Sequence, residues 1–172
     1  GDYKHMNIEA NNSVTATQLD FNNLSGTFGM VYHLAKAVDL KYHFGTAWRA
    51  PNVSELFSDG VHHGSASFEK GNPNLKTETA FNNSLGLQVQ QSNFQAELNV
   101  YYNRIQNYIY LMPRAEGKLT IRGAFPAFDY RQADARLAGL DGQFTWAFAK
   151  FMLNHTEAAL AWSSKFSLLR AR

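Results

Sequence analysis

Apolar and polar residues alternate with a period of two along much of the chain. The alternation is clearest over residues 40–49, where one face carries Leu40, Tyr42, Phe44 and Trp48 and the other carries Lys41, His43, Gly45 and Arg49. Similar alternation recurs around residues 25–33, 81–90, 94–103 and 140–148, and residues 2–9 have the pattern of a strand end. Because successive side chains of a strand point to opposite faces, the pattern predicts five or six strands with one apolar and one polar face.

The predicted strands are long, and the connections between them alternate in length. Each strand holds about ten residues, whereas a strand of a soluble protein commonly has about five or six and a tilted membrane-crossing strand needs about 9–11. Residues 35–38 and 91–93 are short connections, while 50–76 and 112–128 are long ones. Alternating short and long connections are typical of outer-membrane barrels. The alternation of residues alone also fits an ordinary antiparallel sheet with one wet face.

Composition excludes several other classes. The 172 residues include no cysteine, which excludes a disulfide framework, thiolate catalysis and cysteine-based zinc sites. The 16 basic and 14 acidic residues give no reason to expect nucleic acid as a partner. No apolar run is long enough for a transmembrane helix. Neither a nucleophile elbow nor a phosphate loop is present, so we expect no enzyme and no resident cofactor.

An ordered set of motifs occupies the first long connection. Arg-Ala-Pro at the end of a predicted strand is followed by Glu-Leu-Phe, and Gly-Asn-Pro-x-Leu-x-x-Glu precedes the next strand. The signature residues are Arg49, Pro51, Glu55, Phe57, Gly71, Asn72, Pro73, Leu75 and Glu78. Together the motifs resemble the barrels of TonB-dependent outer-membrane receptors, over roughly residues 20–148. The resemblance implies an all-β, antiparallel up-and-down transmembrane barrel in the bacterial outer membrane.

The resemblance also implies a function and a set of partners. Such receptors capture a scarce nutrient at their extracellular loops and import it with energy from the TonB complex. The nutrient is a metal ion, a siderophore or other metal chelate, haem or cobalamin. The expected partners are therefore outer-membrane lipid, the TonB complex and a small-molecule or metal ligand.

Local chemistry accounts for much of the signature without a ligand. Asn52 can cap a short helix, and Glu55 stands three residues later as a capping-box partner. The two prolines end a strand and preset a turn. Glu78 is expected to pair with Arg49 or Lys76. We therefore predict that the signature is structural.

His62 and His63 are the candidate metal ligands. The resemblance is closest to receptors that carry a His-His pair after the Glu-Leu-Phe motif, a trait associated with the acquisition of zinc and other metals. Imidazole suits Zn²⁺, and Asp59 and Glu69 lie nearby in sequence. Adjacent residues of an extended segment point to opposite sides, so one metal could take both histidines only if the loop turns. Two histidines fall short of the three or four ligands of a zinc site, and a solvated loop is the alternative interpretation.

The domain organisation is expected to be that of a partial receptor. Residues 1–148 are predicted to form part of the barrel, and 149–172 to be a divergent or truncated tail in which residues 156–163 have a mildly helical pattern. The resemblance implies a plug domain that couples to TonB, and no such plug is recognised in this chain. We therefore expect an internal barrel fragment.

Two other classes remain as alternatives. A passive porin or an adhesin-like structural barrel shares the alternation but does not predict the signature. A soluble β-sandwich binding module would cover its apolar face with a second sheet.

Overall fold

A computed structural model describes residues 2–10, 14–153 and 156–172, and these residues form mainly β-strands. In chain order the elements are β1 (Asp2–Ala10), β2 (Val14–Asn23), β3 (Gly26–Ala35), β4 (Val38–Arg49), α1 (Val53–Phe57), β5 (Asp59–His62), β6 (Ser67–Lys70), β7 (Glu78–Gln90), β8 (Phe94–Pro113), β9 (Lys118–Thr120), β10 (Gly123–Phe125), β11 (Ala127–Leu153) and β12 (Thr156–Ala171). None of the described helical segments is long and apolar enough to span a bilayer.

Most of the strands belong to one sheet. Its order is β3-β4-β7-β8-β11-β6-β5, with β12 pairing with β11, while β1–β2 and β9–β10 form separate two-stranded sheets. The pairing of β6 with β11 is parallel, and the β3–β4, β5–β6 and β11–β12 pairings are antiparallel. The prediction of an antiparallel sheet of long strands is confirmed. The described chain holds eight strands of nine or more residues rather than five or six, because β2 and β12 were not predicted.

The connections follow the predicted alternation from β3 onward. Residues 36–37 join β3 to β4 and residues 91–93 join β7 to β8. Residues 50–77 contain α1 and the β5–β6 hairpin, and residues 114–126 contain the β9–β10 hairpin. The two long connections therefore carry the only short elements of the described chain.

The two faces of the strands separate as predicted. Apolar pairs in the β3–β4 ladder are Phe28–Phe44, Met30–Tyr42 and Tyr32–Leu40, and they alternate with Gly29–His43 and Val31–Lys41. Directly opposite residues project on the same face of a sheet. On the polar face, Lys41 donates a hydrogen bond to Gln88, and the hydroxyl of Thr27 lies 3.0 Å from Nε2 of His43. Within β4, Lys41 and His43 therefore lie on the polar face, and Tyr42 and Phe44 lie on the apolar face.

The helical interpretation of residues 156–163 is wrong, because this segment is the first half of β12. That strand pairs with β11 from Leu153↔Thr156 to Leu137↔Ala171. Polar residues meet across the pair, where Ser167 donates to Asp141 over 2.5 Å and the hydroxyls of Thr145 and Ser163 lie 2.8 Å apart. Pairing with a neighbouring strand outweighs the local preference of Glu-Ala-Ala-Leu-Ala for helix. The predicted boundary at residue 148 falls inside β11.

The described chain divides into two compact units. The first unit comprises residues 1–25, 47–80 and 105–135. It has a small core in which Leu56, Leu75 and Ile109 are buried and Leu19, Phe21 and Tyr130 pack against them.

The second unit comprises residues 26–46, 81–104 and 136–172. Its large exposed apolar residues include Phe28, Met30, Tyr32, Leu85, Leu98, Val100, Trp146, Phe148, Trp162, Phe166 and Leu168. Soluble monomers rarely expose so wide an apolar surface, whereas the strands of an outer-membrane barrel expose one to lipid. The second unit therefore has the apolar surface expected of the membrane-crossing part of the predicted barrel.

Candidate functional site

An ion-pair network joins the end of β4 to helix α1 and the start of β7. The backbone N–H of Asn52 donates to Oε2 of Glu55 over 2.7 Å, which is the predicted capping contact. Nη1 of Arg49 lies 3.0 and 2.9 Å from the two carboxylate oxygens of Glu55, and Nη2 lies 3.3 Å from Oε2 of Glu78. The hydrogen bond to Glu55 raises the pKa of Arg49 above its usual value. The predicted pairing of Glu78 with Arg49 is confirmed.

The Gly-Asn-Pro motif closes against helix α1. The N–H of Gly71 donates to the carbonyl of Ser58 over 2.7 Å, and the N–H of Asn72 donates to the carbonyl of Glu55 over 2.9 Å. A Cβ on Gly71 would lie 2.6 Å from the carbonyl carbon of Leu56, so only glycine fits at this approach of two backbones. These contacts account for Gly71 and Asn72 through backbone geometry, and the structural role of the whole signature stays a prediction.

The β5–β6 hairpin carries the four predicted metal ligands. In its register Gly60 lies opposite Glu69 and His62 lies opposite Ser67, so His62 and Glu69 share one face. Asp59 lies opposite Lys70 on the other face, and His63 is in the turn. The hairpin therefore brings His62 and Glu69 to the same side and directs Asp59 away from them.

Glu69 is buried in a cage of hydroxyl groups. Its side chain accepts hydrogen bonds from Ser65 and Ser67 at Oε1, both over 3.2 Å, and from the hydroxyl of Tyr130 at Oε2 over 2.9 Å. The cage reaches His62, because Nδ1 of this exposed imidazole lies 3.2 Å from the hydroxyl oxygen of Ser65. Burial, with the hydrogen bond to Glu69 adding to it, raises the pKa of Tyr130 to about 12.

His63 has a different neighbour. Its Nε2 lies 3.4 Å from Nη1 of Arg122, one of the two turn residues between β9 and β10. Among the residues that the structure describes, no group of three or more His, Asp or Glu side chains could hold a metal ion. The four predicted ligands are thus not gathered into one coordination sphere.

A cavity of about 550 Å³ in the second unit is lined mainly by residues of the polar face, together with Gly142 and Phe166 of the apolar face. Its lining residues are Glu97, Asn99, Asp141, Gly142, Gln143, Lys165, Phe166 and Ser167. The amide nitrogen of Gln143 donates to Glu97 over 3.0 Å, so the polar residues also bond across the strands. In an outer-membrane barrel the polar face of the strands lines the interior.

A polar cavity in the first unit is not predicted by the sequence. It has a volume of about 630 Å³ and is lined by Lys70, Gly71, Asn72, Arg114, Asp129, Tyr130, Arg131 and Gln132. Nε of Arg114 donates to Asp129 over 2.9 Å, and Nη2 of Arg131 lies 3.9 Å from the same carboxylate. The hydrogen bond from Arg114 lowers the pKa of Asp129. No motif signals this cluster, because Arg114 meets Asp129 across the second long connection and Lys70 meets it through the pairing of β6 with β11.

The comparisons with known proteins agree on one family. The family described as "TonB dependent receptor-like, beta-barrel" matches residues 1–171. A curated relative, heme/hemopexin utilization protein C of Haemophilus influenzae (strain 86-028NP), is 29% identical over 142 residues that cover 71% of this chain. The chain spans only 19% of the length of that relative.

Two solved receptors share the fold. The siderophore receptor PirA of Pseudomonas aeruginosa is 21% identical and aligns with a TM-score of 0.63 over 90% of this chain and 30% of its own. The hemophore receptor HasR of Serratia marcescens, solved with its hemophore HasA and heme, is 22% identical, with a TM-score of 0.57 over 88% of this chain and 24% of its own. At these identities the likeness establishes the fold alone.

The family match decides between the classes that the sequence left open. A β-sandwich module does not account for a match to a receptor barrel along nearly the whole chain, nor does a porin account for the signature. The family consists of transport receptors rather than enzymes, and its barrels lie in the bacterial outer membrane. The chain belongs to the TonB-dependent receptors, as part of their β-barrel.

Proposed function

We propose that this barrel segment belongs to a receptor that captures a nutrient outside the cell and imports it with TonB-coupled energy. The family match over residues 1–171 carries the proposal. The receptor would meet the TonB complex through a plug domain, outer-membrane lipid through the apolar face and its ligand at the loops of the first unit. We also propose that the barrel continues through β12, because that strand pairs with β11; the divergence of residues 149–172 from the family stays a prediction.

We propose haem as the imported ligand. The name of the curated relative supports a haem-uptake role. The hairpin offers two imidazoles without a third ligand nearby, which suits haem iron because one histidine can serve as its axial ligand. Exposed Leu119 and Ile121 belong to the hairpin segment whose Arg122 contacts His63. Apolar side chains and an arginine match a porphyrin face and its carboxylates.

Haem titration of the complete receptor tests this proposal. The purified receptor in detergent is titrated with haemin and followed through its Soret absorbance, alongside the His62→Ala/His63→Ala double variant. We expect the wild type to bind haemin. The double variant should lose the shift of the Soret band that an imidazole ligand produces. The control is His33→Ala. In the wild type, the imidazole of His33 bonds to Asp39 over 2.7 Å at the β3–β4 turn. If the wild type does not bind haemin, siderophores and cobalamin become the ligands to test.

Zinc import is the second candidate, and the residues proposed for it are His62, His63, Asp59 and Glu69. The two histidines and the closeness of His62 to the Glu69 cage favour it, but the hairpin would have to rearrange to bring three ligands together. Calorimetry with Zn²⁺ alone separates the candidates. Zinc binding that disappears in the double variant, together with no haemin binding, would favour the metal ion over haem.

A further inference from the structure

We infer that Glu69, acting through Ser65, fixes the tautomer of His62 so that its Nε2 is the atom offered to iron. Glu69 and Ser65 are then positioning residues, and His62 rather than His63 is the ligand. The identity of the ligand rests on the proposed function. The tautomer is a property of the ligand-free protein and can be tested separately.

The buried carboxylate sets the direction of the hydrogen bonds. Glu69 is 7% exposed and accepts from Tyr130 at one oxygen and from two serine hydroxyls at the other. A buried carboxylate left without donors costs free energy, and a carboxylate can only accept. The hydroxyl protons of Ser65 and Ser67 are therefore drawn towards Glu69.

The single proton of the Ser65 hydroxyl then determines the state of His62. Oγ of Ser65 lies 3.2 Å from Glu69 and 2.7 Å from Oγ of Ser67. Whether the proton goes to Glu69 directly or through Ser67, it is not available to His62. Ser65 must accept from His62, so Nδ1 carries the imidazole proton and Nε2 keeps its lone pair.

His63 is in the opposite situation. A guanidinium group only donates, so Nη1 of Arg122 at 3.4 Å occupies the lone pair on Nε2 of His63. The positive charge of Arg122 also disfavours a metal cation at that atom. Of the two hairpin histidines, His62 is therefore the one with an available Nε2.

The arrangement has a chemical consequence for a bound metal. A ligating histidine usually donates its other ring N–H to a carboxylate, a carbonyl or a water, which orients the ring and raises its basicity. In this hairpin the Ser65 hydroxyl takes that role, and Glu69 polarises the hydroxyl. Ala66 completes the turn with a φ of 49°, a left-handed conformation that is rare for alanine and places Ser65 and Ser67 around Glu69.

The first test measures the tautomer in the complete receptor without ligand. Nitrogen-15 NMR of the histidine-labelled protein in detergent should show His62 protonated at Nδ1 and unprotonated at Nε2. Ser65→Ala should shift His62 towards the Nε2–H form. The matched control, Ser163→Ala, removes a hydroxyl that bonds to Thr145 on β11 and should leave His62 unchanged. An Nε2–H signal in the wild type, or no change in Ser65→Ala, overturns the inference.

The second test measures the consequence for haem. With haemin as the probe, Ser65→Ala and Glu69→Gln should each weaken binding about 10–100-fold and raise the reduction potential of the bound haem, because a less basic imidazole stabilises ferric iron less. Ser65→Thr keeps a hydroxyl and should have the haemin affinity and the reduction potential of the wild type. If Glu69→Gln fails to fold, the comparison of Ser65→Ala with Ser65→Thr still tests the positioning role.

The two tests separate the inference from the proposed function. Haemin binding that depends on His62 but is indifferent to Ser65→Ala overturns the positioning role and leaves the function intact. The expected tautomer in a receptor that binds no haemin supports the positioning role and rejects haem as the ligand. Haemin binding that survives His62→Ala and is lost in His63→Ala overturns the choice of ligand.

Discussion

At the scale of single residues, the charged members of the signature each serve more than one partner. Glu55 holds the N-terminus of α1 and the guanidinium of Arg49. Glu78 accepts from Arg49 and, over 3.0 Å, from the backbone N–H of Ile109, which belongs to the small core. A change at either glutamate therefore leaves a backbone N–H without a partner and also removes one partner of the Arg49 guanidinium.

This sharing predicts a large effect for Glu78→Ala. The substitution leaves the buried N–H of Ile109 without an acceptor, which costs about 1–3 kcal/mol. Denaturant unfolding of the complete receptor in detergent should show that loss of stability. Glu116→Ala, at an exposed position before β9, should change the stability little. Equal stability of the two variants would contradict the role given to Glu78.

The Glu69 cage predicts a dependence on alkaline pH. The pKa of Tyr130 is raised to about 12, against about 10 for an unperturbed tyrosine. A raised pKa means that the stabilisation is fully present below pH about 10 and is lost as the pH rises through about 12. Tyr130→Phe should remove this part of the pH dependence of unfolding, and Tyr108→Phe, at an exposed position of β8, should retain it. If the free energy of unfolding of Tyr130→Phe fell with pH as steeply as that of the wild type, Tyr130 would not be the group that titrates in this range.

At the scale of elements, the first long connection is held by the approach of one backbone to another. A Cβ at Gly71 meets backbone atoms, which cannot move aside as a side chain can. Gly71→Ala should therefore cost about 1–3 kcal/mol, the range for inserting a group into a packed site. Gly60→Ala is the matched control, because nothing lies within 4 Å of a Cβ there. Similar melting temperatures for the two variants would mean that α1 can shift without cost.

The elements also show what periodicity predicts and what it misses. Strand β4 was predicted because four apolar residues stand on one face, and this alternation also predicts the face of each side chain, although not its partner on the next strand. Strand β12 was missed although Leu160, Trp162, Phe166 and Leu168 keep the period of two. The helix formers of Glu157–Ala161 obscured that signal, which pairing with β11 decides in favour of a strand.

At the scale of the whole molecule, the candidate site is made by contacts between distant parts of the chain. Tyr130 and Glu69 are 61 positions apart, and Arg122 and His63 are 59 apart. Spacing motifs record only neighbours in sequence, so the histidine pair could be found and its surroundings could not. The same limitation explains why Asp59 was grouped with the histidines, since it is close in sequence and on the opposite face of the hairpin.

The sheet of the second unit presents two surfaces of different character. One carries the large exposed apolar residues, and the other carries the polar residues that bond across strands and line a cavity of about 550 Å³. Adjacent residues of one strand are therefore expected to face lipid and the barrel interior in turn. Leu98 belongs to the apolar surface, and Asn99 is a polar residue that lines this cavity.

This difference predicts opposite responses to the same substitution at neighbouring positions. Leu98→Arg places a charge among lipid chains, which costs about 2–4 kcal/mol near the middle of a bilayer, whereas a charge on the lumen face is tolerated. Folding of the complete receptor into phosphatidylcholine vesicles, followed by denaturant titration, should show that loss for Leu98→Arg and little change for Asn99→Arg. Equal losses would contradict the assignment of the two residues to different faces. A larger loss for Asn99→Arg would reverse the two faces and contradict the register on which the membrane assignment rests.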